Sequence, residues 1–119
     1  MKRILLIEDN EQNLYLVNFI LKKNGHEVIE ARNGEEGIRL AIKEKPDLIL
    51  MDIQLPDMDG MEATKRIRAS EGDGKVPIVA ITSYAMTGDR ERALAAGCTG
   101  YIEKPIDPET FMGEVEKFL

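Results

Sequence analysis

Four short apolar runs in this sequence end in residues whose types could do chemistry. Arg3–Ile7 is followed by Glu8-Asp9, Asp47–Met51 by Asp52, Pro77–Ile81 by Thr82-Ser83, and Thr99–Ile102 by Glu103-Lys104-Pro105. If these ends meet at one edge of a sheet, three carboxylates, a hydroxyl and an ammonium converge. Carboxylates a few ångströms apart repel and raise one another's pKa. A divalent cation relieves that repulsion, and hard oxygen ligands with retained waters suit magnesium. Asp52 is the candidate nucleophile, because a carboxylate can take a phosphoryl group as an aspartyl phosphate. Such a transfer needs mainly positioning and charge stabilisation. Lys104 would pair with one phosphoryl oxygen, and the Thr82 hydroxyl would donate to another.

Taken singly, each residue has a plainer reading. Glu8 and Asp9 are acids where a helix starts, which is favourable anyway. Thr82 is a β-branched strand residue, and Lys104 is a solvated lysine. Their joint placement at neighbouring strand ends outweighs those readings, because parallel sheets bind ligands outside the carboxyl ends of their strands.

The elements that must position these residues are legible. A fifth apolar run, Glu27–Ala31, completes the set, and three of the five are nearly continuous in Ile, Leu and Val. That is the pattern of parallel strands covered on both faces. The segments between them carry helix signals. Asn33 with Glu36 and Asp59 with Glu62 have capping-box spacing. Asp107-Pro108 predicts an N-cap with proline at the first helical position. Gly25 stands where the first helix should stop. Phe111, Val115 and Phe118 form a core-facing stripe. The order (βα)5 predicts an α/β fold: a doubly wound, five-stranded parallel sheet with right-handed crossovers.

Composition narrows the function classes. The chain has 119 residues and a net charge of −6. That length fits one domain spanning residues 1–119, and the acidic balance argues against direct grip on nucleic acid. Single Cys98 and His26 exclude a disulfide framework and multi-cysteine or His-rich metal sites. Cys98 reads as a small packed side chain, and His26 as an exposed one. No apolar run is long enough for a membrane span or signal peptide, so a cytoplasmic protein is expected. Ser70 to Lys75 reads as a surface loop.

The pattern Glu8-Asp9, Asp52-Ile53-Gln54-Leu55-Pro56-Asp57-Met58-Asp59-Gly60, Thr82 and Lys104-Pro105 resembles the receiver domain of two-component response regulators. The resemblance covers the whole chain, which looks like a single-domain regulator of the kind exemplified by the chemotaxis and cell-division regulators. It implies a flavodoxin-like sheet of order 2-1-3-4-5, the order that general rules already assign to the chemotaxis regulator. It implies that Asp52 accepts a phosphoryl group from a phosphohistidine on a histidine kinase or phosphotransfer protein, and later loses it by autodephosphorylation. By the same resemblance, Asp9 is a direct magnesium ligand, Glu8 acts through water, and the Gln54 backbone carbonyl is a further ligand beside Asp52. Thr82 and Tyr101 match the switch pair, and Lys104 the phosphate-binding lysine. The downstream target would meet the face of the fourth helix, fifth strand and fifth helix. Glu8 stands where aspartate is common, and Ser83 where alanine is common. Gln54 and Tyr84, two residues beyond Asp52 and Thr82, are expected to tune phosphoryl lifetime by orienting or shielding water.

Other classes fit less well. Phosphohydrolases with an aspartyl-phosphate intermediate carry a second aspartate two residues after the nucleophile, where Gln54 stands here. A flavin carrier needs a hydroxyl- and glycine-rich loop after the first strand, and a P-loop needs Gly-x-x-x-x-Gly-Lys; neither is present. The motif would serve equally in a receiver domain of a hybrid histidine kinase or a longer regulator. Finally, Leu14, Leu16, Val17, Ile20 and Leu21 form one helical arc, leaving Tyr15 and Phe19 outside it and four apart. Two exposed aromatics beside the phosphorylation edge predict the docking anchor for the kinase or phosphotransfer partner.

Overall fold

A computed structural model describes residues 2–71, 75–83 and 89–119. Five strands alternate with five helices: β1 Arg3–Ile7, α1 Glu11–Lys23, β2 Glu27–Ala31, α2 Gly34–Glu44, β3 Leu48–Asp52, α3 Gly60–Ser70, β4 Ile78–Thr82, α4 Asp89–Ala96, β5 Gly100–Glu103 and α5 Phe111–Glu116. The strands form one parallel sheet in the order β2-β1-β3-β4-β5.

Side-chain alternation explains the two layers. Ile4 and Leu6 of β1, with Leu48 and Leu50 of β3, face α1 and α5, where Leu14, Val17, Leu21, Phe111 and Val115 complete a buried cluster. Leu5, Ile7, Ile49 and Met51 point the other way and meet α3 and α4 through Met61, Ala63, Ile67, Ala93 and Ala96; Ile38, Leu40 and Ala41 of α2 pack there half-buried. Every residue of β3 and β4 is buried. That accounts for their apolar sequence up to the last residue of each, whereas edge strand β2 exposes Glu27 and Glu30 and only half-buries Val28 and Ile29.

β1 and β2 span the expected residues, whereas β3, β4 and β5 are each shifted by one residue towards the C-terminus. Asp52 and Thr82 are the last paired residues of β3 and β4 rather than the first beyond them, with Asp52 opposite Ile81 and Thr82 opposite Glu103. Pro77 has no N–H to donate to a ladder, and β4 begins after it; its carbonyl still accepts from Ile49 N at 2.9 Å.

Helix ends show how local chemistry fixes the frame. Asn10 caps α1 by accepting from Asn13 N, and Asn33 caps α2 by accepting from Glu36 N. Asp59 caps α3, but its carboxylate accepts from Met61 N rather than from Glu62 N. α1 stops at Asn24 with Gly25 at φ +85°, Gly25 N bonding Lys22 O and His26 N bonding Leu21 O. This is the double-bonded glycine stop that the sequence predicts. α5 starts later than expected. Asp107 accepts from Glu109 N at 2.9 Å and caps a single turn over 108–110, and Phe111 N then bonds the Asp107 carbonyl. The loop predicted over 70–75 begins after α3, and residues 72–74 lie outside the described ones.

Candidate functional site

Ladder bonds continue past the strands at their carboxyl edge. Glu8 N donates to Ala31 O at 2.9 Å, Ile53 N to Ile81 O at 3.2 Å and Lys104 N to Thr82 O at 2.7 Å. These bonds carry Glu8, Asp52 and Lys104 into register beside one another. The carboxylate oxygens of Glu8, Asp9 and Asp52 come within 4.8 Å of one another. Lys104 Nζ lies 3.1 Å from Glu8 Oε1 and 3.4 Å from Asp52 Oδ2. Glu8 is 2% exposed and Asp52 4%, while Asp9 is exposed.

Backbone groups complete the arrangement. Asn10 N donates to Glu8 Oε2 at 3.3 Å, and Gln54 N to Asp52 Oδ1 at 3.1 Å. Two buried carboxylates thus share one ammonium. Burial first, and then the neighbouring Asp52, push the Glu8 carboxyl up to about 7 against the opposing pull of Lys104. Such a carboxylate-rich, under-neutralised oxygen cluster fits a hard divalent cation. A cleft of ≈ 660 Å³ opens over it, with Gln54 and Ser83 on its rim.

The remaining predicted residues fall as follows. Thr82 is buried at the end of β4. Tyr101 lies opposite Ala80 on β5, half-buried against the α3–α4 layer. The Gln54 side chain is exposed at the cleft. Tyr84 lies outside the described residues. Tyr15 and Phe19 are 75% and 56% exposed and flank a shallow groove of ≈ 360 Å³ between α1 and β2. Cys98 is buried with Sγ 3.7 Å from Thr64 Oγ1, and burial pushes its thiol up. His26 is half-buried rather than exposed, because its Nδ1 accepts from Lys2 N at 3.2 Å. No helix is long and apolar enough to cross a membrane, among the described residues.

Comparison with known proteins decides the family. Residues 4–116 match the response regulator receiver domain. The chain belongs to the response regulator receiver family. This receiver domain is 42% identical over 118 residues to the polar-differentiation response regulator DivK of Brucella anthropi, covering 99% of the chain and 96% of that relative. It superposes on the receiver domain of sensor histidine kinase PA1611 from Pseudomonas aeruginosa PAO1 with a TM-score of 0.89, at 38% identity and over 98% and 96% of the two chains. That structure has a magnesium ion coordinated in its active-site cleft. Chemotaxis protein CheY4 of Vibrio cholerae gives a TM-score of 0.93 at 29% identity, over 100% and 99%. The receiver domain is therefore a signalling module of two-component systems, with an acidic pocket compatible with magnesium and phosphoryl acceptance.

Sequence reasoning missed two contributors. Asn10 caps α1 while its amide holds Glu8. Asp57 bonds the start of α2 across the fold, and its partners, more than twenty residues away, leave no local signal.

Proposed function

We propose that this receiver domain, spanning residues 1–119, is switched by phosphorylation of Asp52. The observation that carries the reading is Lys104 held between buried Glu8 and Asp52, with Asp9 beside them. Glu8, Asp9, Asp52 and the Gln54 backbone carbonyl would hold magnesium, Glu8 through water. When bound, the ion offsets negative charge on the phosphoryl oxygens.

An Asp52 carboxylate oxygen donates the pair that forms the new P–O bond. The P–N bond of a donor phosphohistidine breaks, and the imidazole nitrogen keeps its bonding pair. Lys104 then pairs with a phosphoryl oxygen and Thr82 donates to another, which biases an existing equilibrium in which Tyr101 turns inward. The face of α4, β5 and α5 is the surface remodelled for a downstream protein target. Water later attacks the phosphorus, with Gln54 and Tyr84 setting how fast; the P–O bond to Asp52 breaks, inorganic phosphate leaves and the domain regains its carboxylate. Apart from this self-catalysed transfer and hydrolysis, the domain is not an enzyme. It acts in the cytoplasm, without direct contact to membrane or nucleic acid.

Tyr15 and Phe19 are the apolar anchor for the kinase or phosphotransfer partner. Transfer from a phosphohistidine protein should require magnesium and be abolished by a chelator. Phe19→Ala should slow that transfer about tenfold, the order expected for an aromatic hot spot, while labelling by acetyl phosphate stays near wild type. Magnesium-independent transfer removes the proposed chemistry; equal impairment with both donors removes the docking role.

A further inference from the structure

The loop between β3 and α3 carries Gln54, whose N–H holds Asp52 and whose carbonyl is a proposed metal ligand. What fixes this loop is not within it alone. At its inner end, Gly60 N bonds Ile53 O at 2.7 Å, and Gln54 bridges Asp59. At its outer end, the Asp57 carboxylate reaches across to α2. Its Oδ1 accepts from Gly34 N at 2.7 Å and its Oδ2 from Glu35 N at 3.0 Å. Asn33 already satisfies Glu36 N at 2.8 Å. Two side chains from different segments therefore share the free N–H groups that open α2. The bonds to Glu35 and Gly34 hold the Asp57 carboxyl below the usual range. It stays an acceptor at neutral pH. Next to it, Met58 packs so closely over Gly34 that a Cβ there would overlap its side chain. The tip of the loop thus cannot lift without breaking two charge-assisted bonds and this contact.

We infer that Asp57 is a positioning residue: its two-pronged bond to the start of α2 sets the β3–α3 loop, and with it the Gln54 backbone, over Asp52. It touches neither metal nor phosphoryl group. The inference rests on the proposed role of the Gln54 carbonyl.

The test separates loop placement from stability. Asp57→Ala loses both bonds; Asp57→Asn keeps one acceptor oxygen. Asn33→Ala removes a cap from the same helix end without touching the loop, so it controls for stability. Magnesium affinity is measured by calorimetry, and exchange of the Gln54 amide by hydrogen–deuterium exchange. In Asp57→Ala the magnesium dissociation constant should rise about fivefold, less than the roughly 10–100-fold seen for partners bonded directly to a ligand. Gln54 amide exchange should quicken, and Asp57→Asn should fall between. Acetyl-phosphate labelling should recover at saturating magnesium. Asn33→Ala should lower the unfolding midpoint yet bind magnesium as wild type does. Wild-type affinity in Asp57→Ala, or an equal loss in Asn33→Ala, overturns the tether alone. Wild-type protein that binds no magnesium overturns the proposed function and this inference with it.

Discussion

Lys104→Met should destabilise the metal-free protein by about 3–5 kcal/mol at pH 8, the loss expected when buried charges lose their partner. The lysine side chain is 15% exposed and lies within 3.4 Å of two carboxylates that are nearly inaccessible. Methionine fills similar volume but supplies no charge. The loss should shrink at pH 5.5, for the following reason. Glu8 has its folded-state pKa raised from 4.5 to about 7. Between those values the folded chain keeps a proton that the unfolded chain has released. Stability therefore falls as pH rises through that window, and the burial penalty is complete above about 7. Without Lys104, one influence that lowers this pKa is gone, so the protonated form persists to still higher pH. Glu8→Gln should do the opposite in metal-free protein, raising stability at pH 8 by about 2–3 kcal/mol while weakening magnesium binding. Urea unfolding at the two pH values measures both. A Lys104→Met loss that does not change between pH 5.5 and 8 would contradict the buried-charge account.

Gly60→Ala should cost about 3 kcal/mol, at the upper end for overpacking, and should slow labelling of Asp52. Gly60 opens α3 directly against the strand that carries Asp52. A Cβ would fall inside van der Waals distance of the Asp52 carbonyl oxygen and 2.8 Å from Ile53 Cα. Both obstacles are backbone, so no rotamer change relieves them; the loop or the end of β3 must move. Gly113→Ala provides the contrast. It lies in α5 with nothing within 4 Å of its would-be Cβ, and alanine there should stabilise by about 0.5–1 kcal/mol. Denaturation midpoints and labelling rates of the two variants decide the point. Gly60→Ala protein that unfolds and labels like wild type would show that the loop does not press on Asp52.

Much of the fold was legible because its central strands are buried on both faces. Leu48–Met51 and Ile78–Ile81 have no polar residue to blur the reading, because helices cover both faces of these strands. The ends were less legible. Whether Asp52 closes β3 or follows it depends on pairing with Ile81, a long-range event with no local mark. Asp107 carries an N-cap's sequence but caps a separate turn, since α5 is assembled against the core by Phe111 and Val115. The chemical residues of the site could be recognised by type at strand ends. Their electrostatics could not: the burial of Glu8 and the sharing of Lys104 arise only when β1, β3, β4 and β5 are assembled into one sheet. Asp57 lies within the recognised motif, yet its tie to Gly34 and Glu35 comes from the packing of α2 beside that loop.

The most direct test is the mass of the intact protein after incubation with magnesium and acetyl phosphate, with Asp52→Asn alongside. The account predicts a gain of one phosphoryl group on the wild-type chain, lost when magnesium is chelated and absent from Asp52→Asn. No gain on the wild type, or an equal gain on Asp52→Asn, would contradict it.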